Sequence, residues 1–195
     1  NLSTGEVSRL GKRTRYFSPA ISGNGERVVA VEQTEKQQFN LVILNMDGNL
    51  EQKIPSPGNR FIQQPNWMDH DTALVVLVSV DSGKSLYTYS LTSQKWQSLF
   101  DAGKDDISYP SVKGQQIFFS GTFSGIDNIY CYQIDVDSAF QLTSSRFGAF
   151  HPQVSSDGKT LSYSNYTSDG YGASFLSLDK GLWKPIDEVL DHTEQ

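Results

Sequence analysis

At 195 residues the chain is long enough to bury one sizeable core, and its 16 lysines and arginines against 22 aspartates and glutamates give a formal net charge of −6. That balance, with no basic run to offset it, excludes nucleic acid or an anionic membrane surface as the main partner. The longest apolar stretch, Ala73 to Val78, is the size of a strand and far short of the roughly 20 residues that span a bilayer, so this segment is not expected to insert into a membrane.

Pro19, Pro65, Pro110 and Pro152 recur at spacings of 46, 45 and 42 residues, the period of a four-stranded propeller blade. The expectation is an all-β chain: a β-propeller of four-stranded antiparallel blades, about four of them present. Residues 1–14, with a turn at Ser3-Thr4-Gly5 and a short strand over Glu6–Leu10, read as the end of a preceding blade. The four blades then follow at 15–57, 58–103, 104–145 and 146–187, leaving 188–195 as a tail. In the first, Asn24-Gly25 and Asp47-Gly48 mark hairpin turns between runs such as Val28–Val31 and Asn40–Leu44. The second repeats the pattern around Trp67, Leu74–Ser79, Leu86–Leu91 and Trp96–Phe100. The third has a trimmed first hairpin: proline to second strand is seven residues there and nine in the others. A two-residue deletion keeps the strand's faces in place. The fourth is assigned Leu161–Ser164, Ala173–Leu178 and an outer strand over Leu182–Ile186. With that outer strand in hand, Glu6–Leu10 is surplus, and the chain reads as part of a larger propeller.

The shared core is Pro-x-apolar-Ser-x-[Asp/Asn]-Gly. Proline suits an inner-strand position lacking an amide hydrogen bond, the apolar residue (Ile21, Trp67, Val112, Val154) is expected to pack between blades, and Asp/Asn-Gly makes the turn. Asn24 and Asp157 are therefore turn residues, and Cys131, the single cysteine, is a strand-packing residue that excludes an internal disulfide.

The segments Phe140-Gln141-Leu142-Thr143, Pro152-Gln153-Val154-Ser155-Ser156-Asp157-Gly158-Lys159 and Ile126-Asp127-Asn128-Ile129-Tyr130 resemble the repeat of the TolB-type propeller, a WD-like repeat of the bacterial cell envelope. Similar repeats occur in the propeller domains of prolyl oligopeptidase, dipeptidyl peptidase IV and tricorn protease. The resemblance runs from Leu10 to Trp183 and is strongest in the fourth unit; Asp69-His70-Asp71 and Lys113-Gly114 depart from its Asp-Gly turn. It implies a periplasmic or cell-envelope location and a protein or peptide partner.

Catalytic patterns are absent from the sequence. There is no Gly-x-Ser-x-Gly elbow, no His-Glu-x-x-His, no Cys-x-x-Cys and no phosphate-binding glycine loop. His70, His151 and His192 fall in a turn, beside an inner-strand proline and in the tail, which does not make a zinc site. Asp135-Val136-Asp137 lacks the remaining positions of a calcium loop. No cofactor, metal or catalytic residue is assigned.

Strand alternation does point to a partner surface. Loops joining one blade to the next emerge on the same rim as loops between second and third strands. That rim gathers Arg15-Tyr16, Arg60-Phe61 and Arg146-Phe147 with Asp127, Tyr166 and Tyr171, and Arg13 lies nearby. Arginine beside an aromatic is common in recognition surfaces; the same residues would also serve to cap the blade cores and solvate the rim. Two functions fit: a non-enzymatic binding propeller of the envelope, or the substrate-gating propeller of a larger serine peptidase. A flanking Gly-x-Ser-x-Gly would decide for the second.

Overall fold

Runs such as Val28–Val31, Leu41–Leu44, Leu74–Val78 and Ile117–Phe119 are apolar without interruption, the pattern of strands covered on both faces. In the computed structural model, which describes Gly5, Val7 and residues 15–191, they lie in middle strands of antiparallel sheets, of which there are four among the described residues. The first sheet runs β1 (Tyr16–Ile21), β2 (Arg27–Gln33), β3 (Phe39–Asn45), β4 (Leu50–Pro55). The second runs β5 (Ile62–Trp67), β6 (Ala73–Val80), β7 (Gly83–Ser90), β8 (Lys95–Asp101). The third contains β9 (Ile107–Lys113), β10 (Gln116–Gly121), β11 (Asn128–Gln133) and β12 (Ser138–Gln141), and the fourth β13 (Ala149–Val154), β14 (Thr160–Thr167) and β15 (Gly170–Ser177). Apart from Val7, the strand expected over Glu6–Leu10 lies outside the described residues, as do Arg13 and His192.

Two expectations are corrected. The outer strand assigned to the fourth blade belongs to the third: Lys184–Pro185, β16, pairs with Phe140 and Gln141 of β12 as a fifth strand. A 3₁₀ turn at Lys180–Leu182 reverses the chain, and Trp183 then packs on Phe140 and Phe118, at ring distances of 6.0 and 6.4 Å. Burying that indole draws the segment back over the third blade, and among the described residues the fourth has three strands. Ile21 is not an interblade residue either; it is 62% exposed, while Trp67 at the matching position is 6% exposed.

Each interblade gap holds one apolar cluster. Val29, Val31, Leu41 and Ile43 meet Trp67, Leu74, Val76 and Tyr89 in the first, Val75, Leu77 and Leu86 meet Ile107, Ile117, Phe119 and Tyr130 in the second, and Phe118, Ile129 and Cys131 meet Ala149 and Leu161 in the third. Alternate residues of one strand thus serve opposite gaps: Leu74 and Val76 face the first blade, Val75 and Leu77 the third. Trp67 adds a polar link, donating from Nε1 to the carbonyl of Ala20 at 3.0 Å while the Arg27 guanidinium lies 4.8 Å over its ring.

The unusual turn Asp69-His70-Asp71 explains itself here. Asp71, buried and at φ 54°, accepts from the Gly23 and Asn24 amides of the first blade's turn at 2.7 and 3.1 Å, and its carbonyl accepts from Arg27 at 3.0 Å. Asp69 accepts from the Gly114 amide of the third blade's turn at 2.9 Å. One turn therefore fastens both neighbours, which an Asp-Gly turn has too few carboxylates to do.

Asp71→Asn tests this. Asparagine tolerates the left-handed backbone but can offer only one acceptor to two amides, so urea unfolding should show a loss of about 1.5–3 kcal/mol, the worth of a hydrogen bond to a charged group. Asp69→Asn, at an exposed position with one such bond, should cost less.

Candidate binding surface

Residues of the four inner strands line one cavity, and their placement follows from one repeated backbone feature. Ser18, Gln64, Tyr109 and His151, each directly before a repeat proline, have φ of 49°, 50°, 55° and 55°. At the same place every inner strand slips register against its neighbour, as between Phe17 and Ala20, Gln63 and Asn66, and Phe150 and Gln153, with the third blade slipping opposite Phe118–Ser120. These are β-bulges: the proline has no amide to give the ladder, and the residue before it turns out of the sheet. A left-handed conformation at a non-glycine residue costs on the order of 1–3 kcal/mol, so four of them are held in place by their surroundings. Gln64 Oε1 accepts from the Tyr109 amide at 2.6 Å, and Asn66 Nδ2 donates to the Pro110 carbonyl at 2.7 Å.

The result is a cavity of about 260 Å³ bounded by Ser18, Gln64, Asn66, Tyr109, His151 and Gln153, with the repeat prolines behind them. Tyr109 and His151 are exposed, and their rings lie 3.9 Å apart. The lining offers amides, a hydroxyl, a phenol and an imidazole, but no carboxylate, lysine or arginine. Sequence reasoning used the prolines to count blades and passed over the residue before each one. The signal was present: the same X-Pro position, four times, at the blade period.

The expected binding residues fall into two separate groups. Arg15 and Tyr16 open β1, and Phe61 precedes β5; the Phe61 ring sits 6.2 Å from Phe17 and 5.2 Å from Phe39, which joins the first two blades' loops. Burial, with the Glu32 carboxylate as a smaller cause, pushes the Tyr16 phenol above its ordinary pKa. In a second group, Arg146 lies 5.4 Å over Phe147, and both line a cavity of about 440 Å³ with Asn165 and Tyr166. Tyr171 packs on Tyr166 at 4.8 Å. Arg15, Arg60 and Arg146 are exposed. The ion pairs among the described residues, Lys53–Glu32, Lys84–Asp106 and Lys104–Asp191, leave those three guanidiniums without a carboxylate partner.

Asp127 supplies the opposite charge. Its backbone carbonyl accepts from the Ala149 amide at 2.8 Å, which fixes it at the mouth between the third and fourth blades. Burial holds its carboxyl above the usual carboxylate range, the nearby Asp106 raises it further, and Lys84 offsets part of this. Among the described residues no group of three or more His, Cys, Asp or Glu side chains is placed to hold a metal ion, and no helix is long and apolar enough to cross a membrane.

With strand order and blade packing in place, the chain can be set beside known structures. It superimposes on TolB from Agrobacterium tumefaciens with a TM-score of 0.71 at 17% identity, covering 87% of this chain and 64% of that one. TolB from Acinetobacter baumannii gives 0.70 at 17% identity, over 90% and 44% of the two chains. The fold is that of the TolB-type β-propeller. A puromycin-hydrolysing peptidase of Mycobacterium tuberculosis shares it at a TM-score of 0.66 and 11% identity, over 88% of this chain and 31% of the peptidase. In sequence, a TolB homolog from Chlorobium luteolum is 37% identical over 68 residues, which is 35% of this chain and 16% of the homolog. No family model matches. The chain thus spans less than two thirds of each of these proteins.

The shifted carboxyl of Asp127 predicts a pH-dependent effect. A carboxyl whose pKa is raised by folding favours the native state most when protonated, so that contribution is complete below the unfolded pKa of about 3.9 and is lost as pH rises through the folded value. Asp127→Asn should therefore raise the melting temperature at about pH 7 and leave it nearly unchanged at about pH 3. Thermal scans at the two pH values check the sign.

Proposed function

We propose that this chain is a non-enzymatic TolB-like propeller module that binds a protein or peptide partner in the bacterial envelope, with the arginine-aromatic rim as the contact surface. The observation that carries the reading is electrostatic. A chain of net charge −6 keeps Arg15, Arg60 and Arg146 exposed and unpaired with carboxylates among the described residues, each next in sequence to an aromatic. Acidic side chains or a terminal carboxylate would be drawn to those guanidiniums and held by bidentate bonds, and the neighbouring rings supply apolar area at small entropic cost. Asp127, on the same rim, selects against a uniformly acidic partner and favours one that also carries a cation. The envelope location rests on the likeness to TolB.

A second reading is favoured by the likeness to the puromycin-hydrolysing peptidase: the propeller gates substrate for a peptidase domain in a longer protein. A flanking Gly-x-Ser-x-Gly in the reading frame selects this reading, since no such elbow lies within the chain.

Fluorescence anisotropy with labelled acidic peptides bearing a free C-terminal carboxylate, at low salt where surface charges are least screened, tests the rim. An Arg60→Ala, Arg146→Ala double variant, with its fold checked by circular dichroism, should bind at least about tenfold more weakly, given about 1.5–3 kcal/mol for a hydrogen bond to a charged group. Unchanged affinity would reduce the arginines to solvating groups.

A further inference from the structure

Two hydrogen bonds between the second and third blades fix which atoms the cavity at the repeat prolines presents. Gln64 Oε1 is occupied by the Tyr109 amide at 2.6 Å, so its Nε2 is left to donate, and Asn66 Nδ2 is spent on the Pro110 carbonyl at 2.7 Å, so its Oδ1 is left to accept. Neither side-chain amide can flip without losing its bond. Both blades have a described blade on each side, so these groups owe their placement to neighbours within the chain and not to its ends.

Beside this donor–acceptor pair stands an aromatic wall. Tyr109 is 38% exposed, and His151 lies against it at 3.9 Å with the two rings inclined by 43°, which limits the directions the phenol can turn. Ser18 and Gln153 add a hydroxyl and a further amide, and the Gln153 side chain has no hydrogen-bond partner among the described residues. What the lining leaves out narrows the ligand. It has no carboxylate, lysine or arginine to hold a fixed charge, and its apolar members are prolines and Ala20, with no leucine, isoleucine, valine, methionine or phenylalanine to seat an apolar side chain of a peptide.

A ligand that fits is small, rich in groups that donate and accept at once, and apolar on one face. A hydroxyl does both, so two neighbouring hydroxyls satisfy Gln64 Nε2 and Asn66 Oδ1 together. The C–H face of a pyranose is apolar with slightly positive hydrogens and packs on the negative face of an aromatic ring. At about 260 Å³ the cavity is at the small end of ligand sites, the scale of one sugar ring. We infer that it is a carbohydrate site: it takes one neutral pyranose, free or as a unit of a glycan, stacked on Tyr109 with its hydroxyls bound between Gln64 Nε2 and Asn66 Oδ1. The bulged, left-handed backbone at Gln64, Tyr109 and His151 holds these groups in place before the ligand arrives. The site shares no residue with the arginine-aromatic surface and does not depend on it.

Saturation-transfer NMR on the whole chain, with methyl β-D-glucopyranoside and methyl β-D-galactopyranoside at millimolar concentration, tests it. Transfer to the ring C–H protons of at least one is expected, with none to N-acetylglycine methylamide as the peptide-like control. Cellobiose and lactose separate the two sources: binding tighter than the monosaccharide identifies a glycan unit, equal or weaker binding a free sugar, and either supports the site. Tyr109→Asn, which tolerates φ of 55° but removes the ring, should weaken binding on the order of tenfold or more, whereas Tyr109→Phe, which keeps the ring, should retain most of it. Gln153→Ala, at an exposed position, should weaken it several-fold, with each variant's fold checked by circular dichroism. No transfer to either pyranoside, transfer to the amide control as strong as to the sugars, or an affinity indifferent to both Tyr109→Asn and Gln153→Ala overturns the inference. The second of these outcomes would make the cavity a site for polypeptide main chain.

Discussion

A propeller blade has two apolar faces and cannot shield either one itself. Every other feature of this molecule answers to that constraint. Leu74 to Val78 are five consecutive residues at 0% exposure, possible only because one blade covers the even positions and another the odd. Burying five such side chains is worth on the order of 10 kcal/mol, as much as the net stability of a whole domain. The stability of a blade therefore resides in its neighbours, and repetition of the blade is the physical solution. The outer strands are more polar but still take part: Trp96 of β8 packs into the first gap, and Leu99 and Phe100 of the same strand into the second.

Once the faces are committed to packing, little is left over for fastening one blade to the next in a fixed orientation. The first-hairpin turns do this. Asp71 takes two amides from the first blade and Asp69 one from the third, so the second blade is the keystone of that rim. At the fourth blade's turn, hydrogen bonds from Ser155 and the Lys159 amide, with a smaller contribution from Lys113 of the third blade, hold the Asp157 carboxyl below its usual range. Directional bonds at the rim complement the non-directional burial between faces: burial sets how much stability there is, and the carboxylates help set the angle at which it is collected.

The architecture was legible because it is periodic. Proline spacing, first-hairpin turns and apolar second strands recur from unit to unit, and each repetition tests the last. Three features were not legible, for separate reasons. Where Lys184–Pro185 pairs is decided by the burial of Trp183 against Phe140 and Phe118, a contact between segments more than 40 residues apart, which local pattern does not contain. Ile21 fits the interblade consensus by type, yet it lies in the one blade whose inner strand has no described blade before it. The interblade roles of Asp69 and Asp71 arise from two amides on one neighbour and one on the other, and a sequence shows only that the turn is unusual. The division of the candidate binding residues into two clusters, one on Phe61 and one on Phe147, depends on ring packing that the sequence does not contain.

The cavity shows where a repeated scaffold leaves room for specificity. At the position before each proline the backbone is the same in all four blades, left-handed and bulged, while the side chain is serine, glutamine, tyrosine and histidine in turn. Conformation is conserved within the molecule and chemistry is not. That is the reverse of the blade interior, where Val, Leu, Ile and Phe interchange with little chemical difference. A bulge of this kind costs free energy at every repeat, and its persistence through four blades reflects geometry: it brings one side chain per blade to a common cavity. Strain stored at such positions gives them a fixed direction. The four different side chains then make the cavity asymmetric, with a stacked Tyr109–His151 pair that has no counterpart at Ser18 and Gln64. A nearly symmetric fold thereby acquires a polarised mouth without altering any strand that holds it together.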